Sequence, residues 1–319
     1  METPVINLDG LHGNNPEKKR EVMVQLHEAC EKWGFFQAFN HGIDEDLIEK
    51  FKRLVNLHYE EQMKPCFYQS DMAKGVLKDS QTSVNSSDAD WESSFFVRHQ
   101  PKSNIDEFTN LTDDLRKTME EYVKQVTKLA ETLLEVMSEN LGLEKDYLKK
   151  QFAGEEGGPC IGTKVAKYPE CPKPELVKGL REHTDAGGII FLLQDDQVPG
   201  LQFLKDGQWV DIPPSPLSSR KSTIFVNTGD QLEVMSNGCY KSALHRVLAT
   251  KAGSRLSIVT FYNPAANALI FPAPQLLYPH PYRFQDYLNL YATTKFSPKG
   301  ARFQQMKKKM LLTESTITI

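Results

Sequence analysis

In the first half of this chain apolar residues recur three and four positions apart; past Cys160 they come in short runs cut by Gly, Pro and Asp. Pro16 to Trp33 predicts a helix, with Val22, Val24, Leu26, Ala29 and Cys30 carrying the pattern. Residues 44–64 predict a second, charged amphipathic helix. Thr112 to Gly142 predicts a long one with Leu115, Met119, Tyr122, Val126, Leu129, Leu133 and Met137 on one face. Such a stripe is core, not a cofactor contact. Short strands are predicted at Pro4 to Leu8, Gly34 to Phe39 and Asp90 to Arg98, a polar loop from Gln69 to Asp90, and a short helix from Glu144 to Phe152.

Between Cys160 and Asn263 the runs beginning at Thr163, Ile189, Leu201, Trp209, Thr223, Gln231, Tyr240 and Leu256 read as strands. Many short strands at this spacing predict a barrel or double-sheet jelly roll, with the helices of both ends bracing it from outside. The expected organisation is one catalytic domain: a mainly helical part over residues 1–155, a jelly-roll core over 156–265, and a C-terminal linker and helices over 266–319. In that last part Pro272, Pro274, Pro279 and Pro281 predict an extended linker, Tyr282 to Ala292 a helix, and Arg302 to Met310 a final helix. Pro213 to Lys221 reads as a surface loop, and Lys307 to Lys309 as a solvated terminus.

Composition narrows the function. A net charge of -4 with acids and bases interspersed points away from a nucleic-acid groove or an acidic-membrane patch and toward a small-molecule partner. The oligomeric state is not legible. Five cysteines, odd in number and irregularly spaced, predict reduced thiols in a cytoplasmic protein rather than a disulfide framework. The first residues lack the pattern of a signal peptide, and no apolar run reaches membrane-spanning length.

The candidate chemistry centres on His183-Thr-Asp185. In an extended strand Arg181, His183 and Asp185 project the same way, which would set a cation beside a possible metal pair. With His245 as third ligand, two imidazoles and a carboxylate make a facial triad typical of non-haem Fe(II), with three positions open. Zinc is the main competitor, but the thiolates of a closed zinc site are not present at close spacing. Arg255 and Ser257, two apart on one strand, form a natural carboxylate receptor. Lys164, Ala166 and Tyr168 share a strand face and would turn an ammonium and a phenol toward the metal. His41, in Asn40-His-Gly, is read as a structural turn residue.

Taken together, these residues resemble the plant Fe(II)-dependent oxygenase superfamily, and within it the 1-aminocyclopropane-1-carboxylate oxidases. The likeness runs through Trp33-Gly-Phe-Phe, Asn40-His-Gly-Ile, Asp90-Trp-Glu-Ser, Gly162-Thr-Lys-Val, His183-Thr-Asp-Ala-Gly-Gly, Asn227-Thr-Gly-Asp-Gln-Leu-Glu, His245-Arg-Val and Phe261-Tyr-Asn-Pro. Two features are similar to the oxidases in particular: Thr-Lys-Val with Ala166, and the basic tail Lys295, Lys299 and Arg302. The resemblance implies a distorted double-stranded β-helix flanked by helices, mainly β, with Fe(II) held by His183, Asp185 and His245. It implies that the amino acid chelates the iron, that ascorbate is the reductant, and that bicarbonate or CO2 is the activator. The implied products are ethylene, cyanide, CO2, dehydroascorbate and water. Arg255 and Ser257 would hold bicarbonate, ascorbate or the substrate carboxylate. Arg181, Lys164 and Tyr168 would line the same anionic pocket, Phe261 would form an apolar wall, and Lys299 and Arg302 would reach in from the tail without helical alignment, since Pro298 and Gly300 oppose a helix. A 2-oxoglutarate-dependent hydroxylase or desaturase of a small metabolite, and a metal-containing binding protein without turnover, are the competing readings.

Overall fold

The computed structural model describes residues 2–13, 15–77, 90–154, 158–214, 223–270, 272, 282–300 and 302–306. Its strands are β1 (Val5–Asn7), β2 (Phe35–Phe39), β3 (Ser93–Gln100), β4 (Cys160–Tyr168), β5 (Leu180–His183), β6 (Ile189–Gln194) and β7 (Leu201–Lys205). There follow β8 (Gln208–Ile212), β9 (Ile224–Thr228), β10 (His245–Val247), β11 (Arg255–Asn263), β12 (Leu269–Ile270) and β13 (Tyr282–Arg283). The helices are α1 (Asp9–His12), α2 (Pro16–Lys32), α3 (Glu45–His58), α4 (Lys64–Gln69), α5 (Asp71–Leu77), α6 (Asp113–Asn140), α7 (Tyr147–Ala153), α8 (Asp230–Met235) and α9 (Phe284–Thr294).

A seven-stranded sheet runs β1-β2-β9-β6-β11-β4-β3 and a four-stranded sheet runs β5-β10-β7-β8. Apart from the parallel β1–β2 pair, neighbours within both are antiparallel. Side-chain alternation sorts the larger sheet into two environments. Ile189, Phe191 and Leu193 of β6, Ile224 and Val226 of β9, and Ile258 and Tyr262 of β11 join the cluster formed with α2, α3 and α6. Leu192, Phe225, Phe35 and Tyr168 turn the other way and pack with Leu180, Leu201, Phe203, Ile212 and Val247 of the smaller sheet. The two sheets thus face one another as a jelly roll, with helices covering the outer face of the larger one. Because it is covered on both faces, β6 reads as an unbroken apolar run.

The helices follow their patterns. Asn15 caps α2 by accepting from Glu17 and Lys18, with Pro16 at the first helical position, and Thr112 caps α6 by accepting from Leu115. Four expectations are corrected. Gln231 to Met235 lies in α8, because its first amides are drawn to the carbonyls of a neighbouring loop. The run at Tyr240 pairs only as β10. The polar stretch after Gln69 begins with α5. Finally, residues 299–300 are helical despite Gly300, since Pro298 stands just before the turn, where a missing N–H is harmless, and residues 302–306 are helical as expected. The predicted segments at 78–89, 215–222, 273–281 and 307–310 lie outside the described residues.

His99 on β3 supplies a stability prediction. Its Nε2 sits 3.0 Å from Thr163 Oγ1, and burial lowers its pKa from 6.5 to about 4. Between those values the unfolded chain binds a proton that the folded one refuses, so stability falls as pH drops, by about 1.4 kcal/mol per unit. His99→Gln is expected to remove about 2 kcal/mol of the acid sensitivity between pH 6.5 and about pH 5, read from urea midpoints at the two pH values.

Candidate metal centre

β5 ends at His183, and β10 begins with His245 directly opposite it in the antiparallel register. The two rings lie 4.3 Å apart between centroids, as cross-strand neighbours do. Each is oriented from behind: His183 Nδ1 is 2.8 Å from the Arg181 carbonyl, and His245 Nδ1 is 3.1 Å from that of Ala243. A carbonyl only accepts, so Nδ1–H is the donor in each ring and both Nε2 lone pairs remain for a cation. Phe203 stacks on His245 at 4.8 Å. Burial, helped by His245 and Lys295, pushes the His183 pKa well below the usual range, which keeps the imidazole neutral.

Asp185 lies beyond the end of β5. Its oxygens are 3.9 Å from His183 Nε2 and 3.6 Å from His245 Nε2. These are too long for hydrogen bonds, yet the three ligand atoms lie within 4.8 Å of one another. Asn227 Nδ2 donates to Asp185 Oδ2 at 2.9 Å. The loop itself is held by the start of α8: the amides of Gly229, Asp230 and Gln231 donate to the carbonyls of Gly188, Asp185 and Gly187 at 2.7, 2.8 and 2.9 Å. Those donors are the ones a helix N-terminus leaves unpaired. The approach requires glycine, since a Cβ on Gly229 would lie 2.4 Å from the Gly187 carbonyl oxygen and one on Gly187 1.7 Å from Asn263 Oδ1.

The cluster opens into a cavity of about 80 Å³ between the sheets. Its polar lining adds Lys164, Tyr168, Asn227, Ser257 and Lys295; Leu180, Ile190, Leu192, Leu201, Phe203, Phe225 and Phe261 make its apolar walls. The expected face of β4 therefore does look inward. Lys164 Nζ is paired with Glu92 at 2.7 Å, and burial and Glu92 raise the Tyr168 pKa well above its usual value. Asn227 is not singled out as a site residue by the sequence, and Lys295 is singled out there only as part of the basic tail, with no place in the cavity assigned to it. Asn227 was detectable as the polar member of the inward face of β9, which otherwise presents Phe225. Lys295 follows α9 in a turn that carries no periodic signal.

Four expected residues stand elsewhere. Arg181 does not line the cavity: its guanidinium pairs with Asp90 at 3.1 Å and covers the Phe296 ring at 3.9 Å. Strand alternation could not be extended from it to Asp185, because β5 stops at His183. Arg255 is fully buried, with Nη1 donating to Val198 O at 2.8 Å and Nη2 to Gln194 Oε1 at 3.1 Å. Its Nε is without a partner, and it is not among the residues that line the cavity. Lys299 binds Glu233 at 2.6 Å and the Ser242 carbonyl at 2.8 Å. Arg302 is buried against Asp230 at 2.8 Å and Thr184 Oγ1 at 3.1 Å. Lys299 and Arg302 thus do not enter the cavity; they brace the loop and helix behind Asp185, whereas Lys295 of the same basic stretch lines it. Asp230 also accepts from Tyr287 at 2.6 Å and Ser242 at 2.7 Å, which satisfies a carboxylate that burial would otherwise discharge.

Comparison with known proteins agrees with this geometry. The 2OG-Fe(II) oxygenase superfamily matches residues 160–264, and the family described as non-haem dioxygenase in morphine synthesis N-terminal matches residues 3–121. Among solved structures, JOX2 in complex with 2OG, Fe and JA aligns at a TM-score of 0.72 with 29% identity, covering 91% of this chain and 84% of that one. The rice dioxygenase for auxin oxidation aligns at 0.68 with 21% identity, covering 92% and 96%, a likeness of fold alone. The 1-aminocyclopropane-1-carboxylate oxidase 1 of Arabidopsis thaliana is 60% identical over 97% of this chain and 95% of its own. The 1-aminocyclopropane-1-carboxylate oxidase of Prunus mume is 49% identical over 95% and 94%. With identity at that level along almost its whole length, this chain belongs to the 1-aminocyclopropane-1-carboxylate oxidase family of the Fe(II) oxygenases.

Proposed function

We propose that this chain oxidises 1-aminocyclopropane-1-carboxylate with O2 and ascorbate to ethylene, cyanide, CO2, dehydroascorbate and water. The observation that carries the reading is the convergence of His183, Asp185 and His245, with both Nδ1 atoms tied back, in a chain 60% identical to an oxidase of that name. These three residues would hold Fe(II): two neutral imidazoles and one carboxylate suit a ferrous ion, and no thiolate is offered. When bound, Fe(II) supplies redox chemistry with O2 and open positions for the amine and carboxylate of the amino acid.

The protein's own groups do the rest. Lys295 sets positive charge at the cavity wall, where the carboxylate of a small zwitterion is drawn in, while Lys164 beside it is balanced by Glu92. Ser257 offers a hydroxyl beside it, and the ring of apolar side chains excludes water from a space of about 80 Å³. Lys295→Met is expected to raise KM for the amino acid about tenfold or more with a smaller change in kcat, the signature of lost ground-state binding. Bicarbonate as activator is assigned to the same cationic wall. The 60% identity with an oxidase of that name over 97% of this chain favours this reading over the 2-oxoglutarate-dependent one.

No described helix is long and apolar enough to cross a membrane, and all five cysteines are free. The free thiols support a cytoplasmic setting. One hydrophobic cluster runs from Ile6 to Met306, which supports reading the chain as a single catalytic unit. The deciding experiment is headspace ethylene from purified protein given Fe(II), ascorbate and the aminocyclopropane acid. Ethylene formed without 2-oxoglutarate supports the proposal; a strict requirement for 2-oxoglutarate rejects it.

A further inference from the structure

On the far side of α2 a second set of metal-type donors converges. His27 and Glu31 are one turn apart on that helix and share a face, and Cys239 comes over them from the turn that follows α8. A ring nitrogen, a carboxylate oxygen and the sulfur lie within 4.8 Å of one another. We propose that His27, Glu31 and Cys239 form a second cation site, distinct from the His183 centre, that takes a zinc-class divalent ion.

Three observations carry this. The first is the orientation of His27. The Tyr240 hydroxyl donates to the Met137 carbonyl at 3.3 Å and lies 3.3 Å from His27 Nδ1. With its one proton committed, the hydroxyl accepts from Nδ1–H, and Nε2 keeps its lone pair. The ring is fixed through Nδ1 by a hydrogen bond, a support that metal-binding imidazoles share. The second is the fixing of Cys239. Its amide donates to Ser236 O at 3.1 Å, and two residues on Lys241 N donates to Cys30 O of α2 at 3.0 Å, so the turn is stitched to the helix that supplies the other two donors.

The third is the chemistry of the donor set. Imidazole, carboxylate and thiolate together neutralise a divalent cation exactly once over, and three protein ligands leave a fourth tetrahedral position for water at this half-exposed place. Sulfur favours zinc over the harder ferrous ion, and the general affinity order places zinc above iron at a given site. The His183 cluster has no sulfur. The thiolate therefore distinguishes this site chemically from the His183 centre. Binding is written as the cation joining the cysteine sulfur while the thiol proton leaves to solvent, with no change of oxidation state. An ion there would pin α2 to the segment that leads into β10 and His245.

The test uses the full-length chain, already loaded with Fe(II), titrated anaerobically with Co2+ as a spectroscopic stand-in for zinc. One equivalent is expected to produce a thiolate-to-cobalt charge-transfer absorption in the near ultraviolet, which Zn2+ then bleaches by displacement. Cys239→Ser should remove the band. His27→Gln and Glu31→Gln should weaken cobalt binding by at least the roughly tenfold that loss of an outer partner alone causes. Glu31 is exposed on the helix, so that variant leaves the fold intact. Asp185→Ala should keep the band, which separates this site from the reading of the His183 centre. Absence of a thiolate band in the unaltered chain, or its survival in Cys239→Ser, overturns the proposal.

Discussion

Asp185→Ala is expected to lose tightly bound Fe(II) and to lower ethylene formation by about three orders of magnitude or more, because the change removes the only anionic donor of the triad. Two imidazoles alone leave a divalent ion with uncompensated charge in a cavity walled by Phe203, Phe225 and Leu192. His183→Ala should behave alike. Arg255→Ala supplies the contrast: its guanidinium bonds Val198 and Gln194 rather than the cluster, so iron stoichiometry should be unchanged while stability declines. Iron content by a chromogenic chelator and headspace ethylene, measured on the same samples, give both readouts. Full activity with retained iron in the Asp185 variant would contradict the assignment of the ligands.

Arg302→Ala should destabilise the fold by about 3–5 kcal/mol, since it strands Asp230 as a buried, uncompensated carboxylate. The consequence reaches the metal centre. Asp230 N holds the Asp185 carbonyl at 2.8 Å, and Arg302 also donates to Thr184 Oγ1 at 3.1 Å, so both flanks of the ligand loosen together. Iron affinity is expected to fall about ten- to a hundredfold, the range for losing an outer partner of a ligand. Urea unfolding and iron titration measure the two effects. Pairing the change with Asp230→Asn removes the stranded charge and should recover part of the stability but not the iron affinity. Recovery of both would show that Arg302 acts through charge balance alone.

The contrast between Arg302 and His245 marks what could be read from residue types. His245 was found by pairing a lone histidine with a distant His-x-Asp, because metal coordination needs a small, chemically restricted set of donors. Arg302 was assigned to the cavity on the same kind of evidence and belongs behind it. A guanidinium serves equally as a substrate clamp or as the partner of a buried carboxylate, and only the position of Asp230 distinguishes the two. Arg181 repeats the lesson with Asp90. Asp90 lies far from it in the chain and pairs with Lys178 in an isolated bridge.

Apolar periodicity by itself determined the helical first half, the stranded second half, and the burial of β6 on both faces, since these depend on spacing within a few neighbouring residues. It misread Gln231 to Met235 because that segment is helical for a tertiary reason: its leading amides cap the carbonyls of the loop carrying Asp185. The donor chemistry of His183, Asp185 and His245 was likewise local knowledge. Which way the cations of the chain turn, into the cavity wall for Lys295 and for Lys164 with its partner Glu92, or away from it toward carboxylates for Arg181, Lys299 and Arg302, was decided only by long-range packing. A buried charge must find its counter-charge wherever the fold places one, and no pattern along the chain encodes that meeting.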